Sequence, residues 1–89
     1  MIRVVNWERH QHYKKHRPPW IKLYRDLLGD YEYQSLCEKD RAAMVGFFLL
    51  AAETGNEIPD DTVWLKRKLA ITRQPPIETL IASGFLERD

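Results

Sequence analysis

Apolar positions along the chain fall into short runs whose spacing switches between two and three to four. Ile2/Val4 and Val5/Trp7 alternate in a stretch rich in β-branched residues, which predicts a strand over 2–7. Residues 8–19 are polar and basic and close on Pro18-Pro19. Two prolines remove two backbone donors and bias the preceding residue away from helix, so this segment reads as an extended arm. From Trp20 onward Ile21, Tyr24 and Leu28, joined by Leu23 and Leu27, predict a helix ending at Gly29. Trp20–Leu23 fits a short extended piece equally well.

Ser35-Leu36-Cys37-Glu38 has the Ser-x-x-Glu form of a capping box, in which each side chain satisfies a free backbone N–H at a helix start. The helix it opens runs to about Thr54, is apolar nearly all round in its second half, and is expected to be the central buried helix, ended by Gly55-Asn56. Glu57-Ile58-Pro59 is a short extended link. Asp60 or Asp61 caps the next helix, which runs to about Ala70, with Lys66-Arg67-Lys68 mainly outward. Ile71–Gln74 make a turn, Pro75-Pro76 suits a helix opening, and Ile77, Leu80 and Ile81 share one face before Gly84. Phe85-Leu86-Glu87 begins a strand. The order is that of a mainly α domain with a small β component. Two helices over 60–83, then a glycine and a strand, are the sequence of a winged helix-turn-helix. The wing is either truncated, or the strand over 2–7 pairs with the terminal one.

Length and composition bound what this fold can do. The 89 residues suffice for one domain, and 44% hydrophobic with 30% charged residues describes a globular chain. The longest apolar stretch, Met44 to Ala52, is nine residues, against about 20 for a membrane span. No secretory signal pattern opens the chain. A single cysteine, Cys37, excludes an internal disulfide and a cysteine-built zinc site, and a reducing cytoplasm is the expected location.

Charge adds a regional picture. Residues 1–25 hold seven Lys/Arg against Glu8 alone, residues 26–61 hold nine acids against Lys39 and Arg41, and residues 62–89 hold five basic against three acidic residues. A positive face suited to a polyanion follows if the fold keeps these segments apart; mutual neutralisation follows if it does not. Within the arm, Arg9-His10-Gln11-His12-Tyr13-Lys14-Lys15-His16-Arg17 interleaves aromatics and cations, a pattern that tracks phosphates while Tyr13 or Trp20 stacks. Core packing is the expected place of Trp20 and of Trp64. The candidate DNA-binding residues are Arg9, Lys14, Lys15, Arg17, Lys66, Arg67, Lys68 and Arg73.

Other chemistry finds little support. His10, His12 and His16 lack a reinforcing cysteine and sit among cations, so a metal site is not expected. Asp60-Asp61 is explained by helix capping. Cys37 has no basic neighbour to activate it and reads as a small packing residue. With no phosphate loop, nucleophile elbow or His-Glu-x-x-His, neither an enzyme nor a cofactor is expected.

Asn6-Trp7-Glu8, Pro18-Pro19-Trp20-Ile21-Lys22-Leu23-Tyr24-Arg25-Asp26-Leu27-Leu28, Ile58-Pro59-Asp60-Asp61 and Leu80-Ile81-Ala82-Ser83-Gly84-Phe85-Leu86-Glu87 together cover most of the chain. In their order and spacing the sequence resembles the N-terminal winged-helix module of phage and prophage replication initiator proteins, the DnaD-like and phage O-like group. The resemblance implies a winged helix acting in DNA binding or initiator assembly, with duplex DNA the expected partner ahead of single strands. The rival expectation is docking of another replication protein, or self-association. One departure is plain: the second helix of the pair, Pro75–Ser83, offers Glu78, Thr79 and Ser83 and no Lys or Arg. A reader of base edges normally presents polar or basic side chains there.

Overall fold

The computed structural model describes residues 1–11 and 19–89. Its elements are β1 (Ile2–Val4), α1 (Trp7–His10), a 3-10 helix (Arg25–Gly29), α2 (Tyr31–Gln34), α3 (Glu38–Thr54), α4 (Thr62–Leu69), α5 (Ile77–Ala82) and β2 (Leu86–Arg88). The domain is mainly helical, with β1 and β2 forming a small antiparallel sheet in which Arg3 faces Glu87 and Val4 faces Leu86. The first strand thus pairs with the last, the second of the two arrangements open to the sequence.

β1 is bonded along both edges. On one side lies β2, continued by the Val5 amide on the Phe85 carbonyl at 3.0 Å. On the other, Ile2 exchanges both backbone bonds with Ile58 at 2.8 and 3.0 Å. Side-chain direction alternates along a strand. Ile2 and Val4, both buried, accordingly face a core built with Leu36, Met44, Phe47, Leu50, Ile58, Leu65, Ile77, Leu80 and Leu86. At about 25 cal/mol per Å2 of apolar surface removed from water, this cluster is the main source of stability.

α3 crosses the centre. Ala43, Met44, Phe47, Leu50 and Ala51 are buried, whereas Leu49 is exposed, so the helix is covered on a broad face and not all round. Gly55 at φ 67° ends it, its amide bonding the Ala51 carbonyl. α4 begins at Asp61, whose Oδ1 accepts from the amides of Val63 (3.0 Å) and Trp64 (3.2 Å). Gly46 lets the two helices approach: a Cβ there would lie 2.5 Å from the Leu69 side chain.

Several expectations are corrected. The strand stops at Val4, because Asn6 turns the chain at φ 59° into α1, so residues 8–10 are helical rather than arm. Residues 21–24 form no helix, Tyr24 being extended, and the helix that follows is a five-residue 3-10 turn. Its apolar residues do not form one buried stripe: Leu27 packs against the core while Leu23 and Leu28 are exposed. Trp20, expected in the core, is 55% exposed. The Ser-x-x-Glu box does not form. A further helical turn, α2, takes Ser35, whose Oγ donates to the Tyr31 carbonyl at 2.8 Å, and Cys37 stands at the start of α3 with no side-chain cap. Cys37 itself is exposed, not packed. Trp64 packs against the core, half-buried.

Candidate nucleic-acid interface

The candidate cations divide into two groups by what surrounds them. In the C-terminal third, acidic neighbours from α3 and the chain after it claim most of the positive charge. Lys68 meets Glu53 at 2.7 Å and lies 5.8 Å above the Trp64 ring. Arg73 meets Asp40 at 2.9 Å, the carboxylate being largely buried. Arg88 bridges Asp60 at 2.7 Å and Glu78 at 2.5 Å. Glu78 on the exposed side of α5 is therefore matched by β2 rather than facing solvent alone. Lys66 and Arg67 make no ion pair with a described residue, and with Val63 they share one side of α4 through i, i+3, i+4 spacing.

The N-terminal group is different. From Arg9 to Arg25 the chain carries six Lys/Arg and no acid. Of these, Arg9 and Arg25 are exposed, Lys22 is half-buried, and none of the three makes an ion pair with a described residue. Lys14, Lys15 and Arg17, together with Tyr13, His12 and His16, lie outside the described residues. Among the described residues no group of His, Cys, Asp or Glu is arranged to hold a metal ion.

What holds the described flanks of this segment together is Gln11. Its side chain, the buried polar one of the described core, donates from Nε2 to the Lys22 carbonyl and accepts at Oε1 from the Lys22 amide, both at 2.9 Å. A primary amide matches the donor and acceptor of a peptide unit, so Gln11 acts as a one-residue strand neighbour for Lys22. Both groups are satisfied, which is the condition for burying a carboxamide without a desolvation penalty. No sequence signal singled out Gln11: its role depends on a partner eleven residues away. Lys22 and Arg25 carried a sequence signal, a run of cations from Arg9 to Arg25 with no acid inside it, although Asp26 follows directly and lines the same cavity as Lys22.

Beside the clamp lies a cavity of about 620 Å3, walled by Val4, Trp7, Tyr24, Leu27, Phe48 and Phe85, with Gln11 and Lys22 also in its lining. Charge at the sheet edge is separate. Arg3 donates a hydrogen bond to Asp89, which raises the Arg3 pKa and holds the Asp89 carboxyl below the usual carboxylate value. The Arg88 pKa is likewise raised, first by its hydrogen bond to Glu78 and then by that to Asp60.

Searches among protein-family models, curated proteins and solved structures find no match to this chain. No helix among the described residues is long and apolar enough to cross a membrane.

Proposed function

We propose that this chain is a DNA-binding module of winged-helix type, of the kind used by phage-type replication initiation proteins, and a binding protein rather than an enzyme. The observation that carries the reading is the contrast between the two cation groups. Acids have neutralised Lys68, Arg73 and Arg88, while Arg9, Lys22 and Arg25 make no ion pair with a described residue and lie in a run, 9–25, that holds no acid. Unneutralised Lys/Arg on one stretch of chain is the electrostatic footprint of a polyanion partner.

The architecture supports the same reading. α4 and α5, joined by a short connection and followed by β2, are compatible with the helix-turn-helix part of such a fold, while β2 pairs with β1 and Ile58 bridges β1 on its other edge. α5 is a poor reader of bases: Ile77 and Leu80 face the core, and Glu78 is tied to Arg88. Affinity would then come from the backbone through the 9–25 segment, with Lys66 and Arg67 adding contacts, and depend little on sequence.

Fluorescence anisotropy with labelled duplex and single-stranded oligonucleotides at several salt concentrations tests this. The expected result is duplex binding that weakens log-linearly with salt, with a slope of about −0.9 per phosphate contact. Replacing Lys14, Lys15 and Arg17 together with Ala should weaken binding and flatten that slope. Absence of binding to any oligonucleotide at low salt overturns the proposal.

A further inference from the structure

Two surface patches on this chain are complementary in charge and each carries exposed apolar side chains. The first is built by the 3-10 helix and α2. The Gln34 side-chain amide donates to the Leu28 carbonyl at 2.6 Å, folding α2 back on the 3-10 helix, and Leu28 and Tyr31 are left 72% and 76% exposed. Beside them in sequence stand Asp26, Asp30 and Glu32, three acids against Arg25, which opens the 3-10 helix. None of the three acids makes an ion pair with a described residue. The second patch is the outer side of α4, where Val63 is 67% exposed beside Lys66 and Arg67.

Elsewhere acids and bases brought close have paired: Glu53 with Lys68, Asp40 with Arg73, and Asp60 and Glu78 with Arg88. These two patches have not paired with each other within one copy. Isolated apolar residues on a surface are ordinary, but large apolar side chains flanked mainly by one charge, on a chain that carries a second patch of the opposite charge, describe a contact surface.

We infer that the Leu28–Tyr31 patch of one copy docks on the Val63–Lys66–Arg67 patch of another. The contact joins unlike surfaces, so an open assembly keeps one unused patch of each kind, on its two end copies, unless a ring closes. The inference does not rest on DNA binding. If duplex DNA also uses Lys66 and Arg67, the two partners compete for α4.

Analytical ultracentrifugation without DNA tests it, over protein concentrations up to about 1 mM, the weak end of specific affinity, and at several salt concentrations. The wild-type mass should rise with concentration and fall with salt. Leu28→Ser/Tyr31→Ser and Lys66→Glu/Arg67→Glu should each weaken association at least about tenfold, roughly the weight of one good contact. Circular dichroism should stay unchanged, since all four side chains are at or near the surface; the single changes Tyr31→Gln and Arg67→Gln serve if either double variant unfolds. Each double variant keeps the patch that the other lacks, so an equimolar mixture should regain association and stop at a 1:1 complex. A wild-type chain that stays monomeric throughout, a variant that associates like wild type, or a mixture that stays monomeric overturns the inference. The DNA titration is untouched by that failure.

Discussion

The carboxamide of Asn56 holds both backbone groups of Val4. Its Oδ1 accepts from the Val4 amide at 2.7 Å and its Nδ2 donates to the Val4 carbonyl at 3.1 Å. These groups point to the same side as those of Ile2, which pair with Ile58, so Asn56 continues by one rung a pairing that the chain itself cannot. Asn56 does this from the left-handed region, φ 62°, which asparagine tolerates better than other side chains. Replacing Asn56 with Ala should cost about 2 kcal/mol, from two lost hydrogen bonds and a strained φ. Asn56→Gly should cost less, since only the bonds are lost. Urea unfolding of both variants gives the comparison; equal costs would remove strain from the account.

Ala70 ends α4 at φ 56°, a position that usually takes glycine. Ala70→Gly should raise stability by up to about 1 kcal/mol by relieving the left-handed alanine. Thermal unfolding checks this, and a lower melting temperature would contradict it.

Gln11 and Lys22 form the other amide clamp. In Gln11→Ala the Lys22 N–H loses its partner, so its hydrogen exchange should accelerate and stability should fall by about 1–3 kcal/mol. In Gln11→Glu the ionised carboxylate accepts from the Lys22 amide but has nothing to donate to the Lys22 carbonyl. Protonation restores the donor, so protection of the Lys22 amide should recover on acidification. Exchange that is indifferent to both changes would mean the clamp does not hold the segment ends.

Asp89 is held below its ordinary pKa by the Arg3 hydrogen bond. A depressed folded-state pKa stabilises fully above the unfolded value, about 3.9, and the contribution is lost as pH falls through the folded one. The raised Arg3 pKa has no effect in this window, because the guanidinium stays charged throughout. Asp89→Asn should therefore be slightly less stable than wild type at neutral pH, and the gap should close in acid. Melting temperatures from neutral pH to pH 2 measure it, and a gap that persists in acid would assign the loss to something other than this pair.

Arg67 and Arg73 are near in sequence and unlike in surroundings. Arg67 is exposed and makes no ion pair with a described residue, and Arg73 is paired with Asp40. Arg67→Ala should reduce the salt slope of DNA binding by about one contact and leave stability within about 0.5 kcal/mol. Arg73→Ala should do the reverse, lowering the melting temperature by stranding the largely buried Asp40 while leaving the slope unchanged. An Arg67→Ala slope equal to that of wild type would show that Arg67 makes no phosphate contact.

Local rules made much of the helical half legible. The α3 stop at Gly55, the Asp61 cap, the helix after Pro76 and the last strand all follow from backbone preferences acting within four or five residues. The same rules failed between Trp20 and Glu38. There an apolar spacing that suits a helix became a stretch without regular structure and a 3-10 turn, and Ser35 was drawn to Tyr31 instead of capping α3. Arg41 contributes to that outcome, donating to the Tyr33 (3.2 Å) and Gln34 (3.0 Å) carbonyls from the α3 side. Such a partner is invisible to periodicity.

What the sequence by itself determined was part of the inventory: a mainly helical chain, the Asp61-capped helix, and a run of cations from Arg9 to Arg25 with no acid among them. Each depends on neighbours along the chain, whose distances are set by covalent geometry. Tertiary structure alone decided which charges survive and which strands meet. Lys68 and Arg73 are neutralised by residues 15 and 33 positions away, and β1 is completed by β2, Ile58 and Asn56 from distant parts of the chain. Charge and hydrogen-bonding capacity act through space over a few ångströms, so the pairing that leaves Arg67 open and Arg73 closed exists only once the core has brought the elements together.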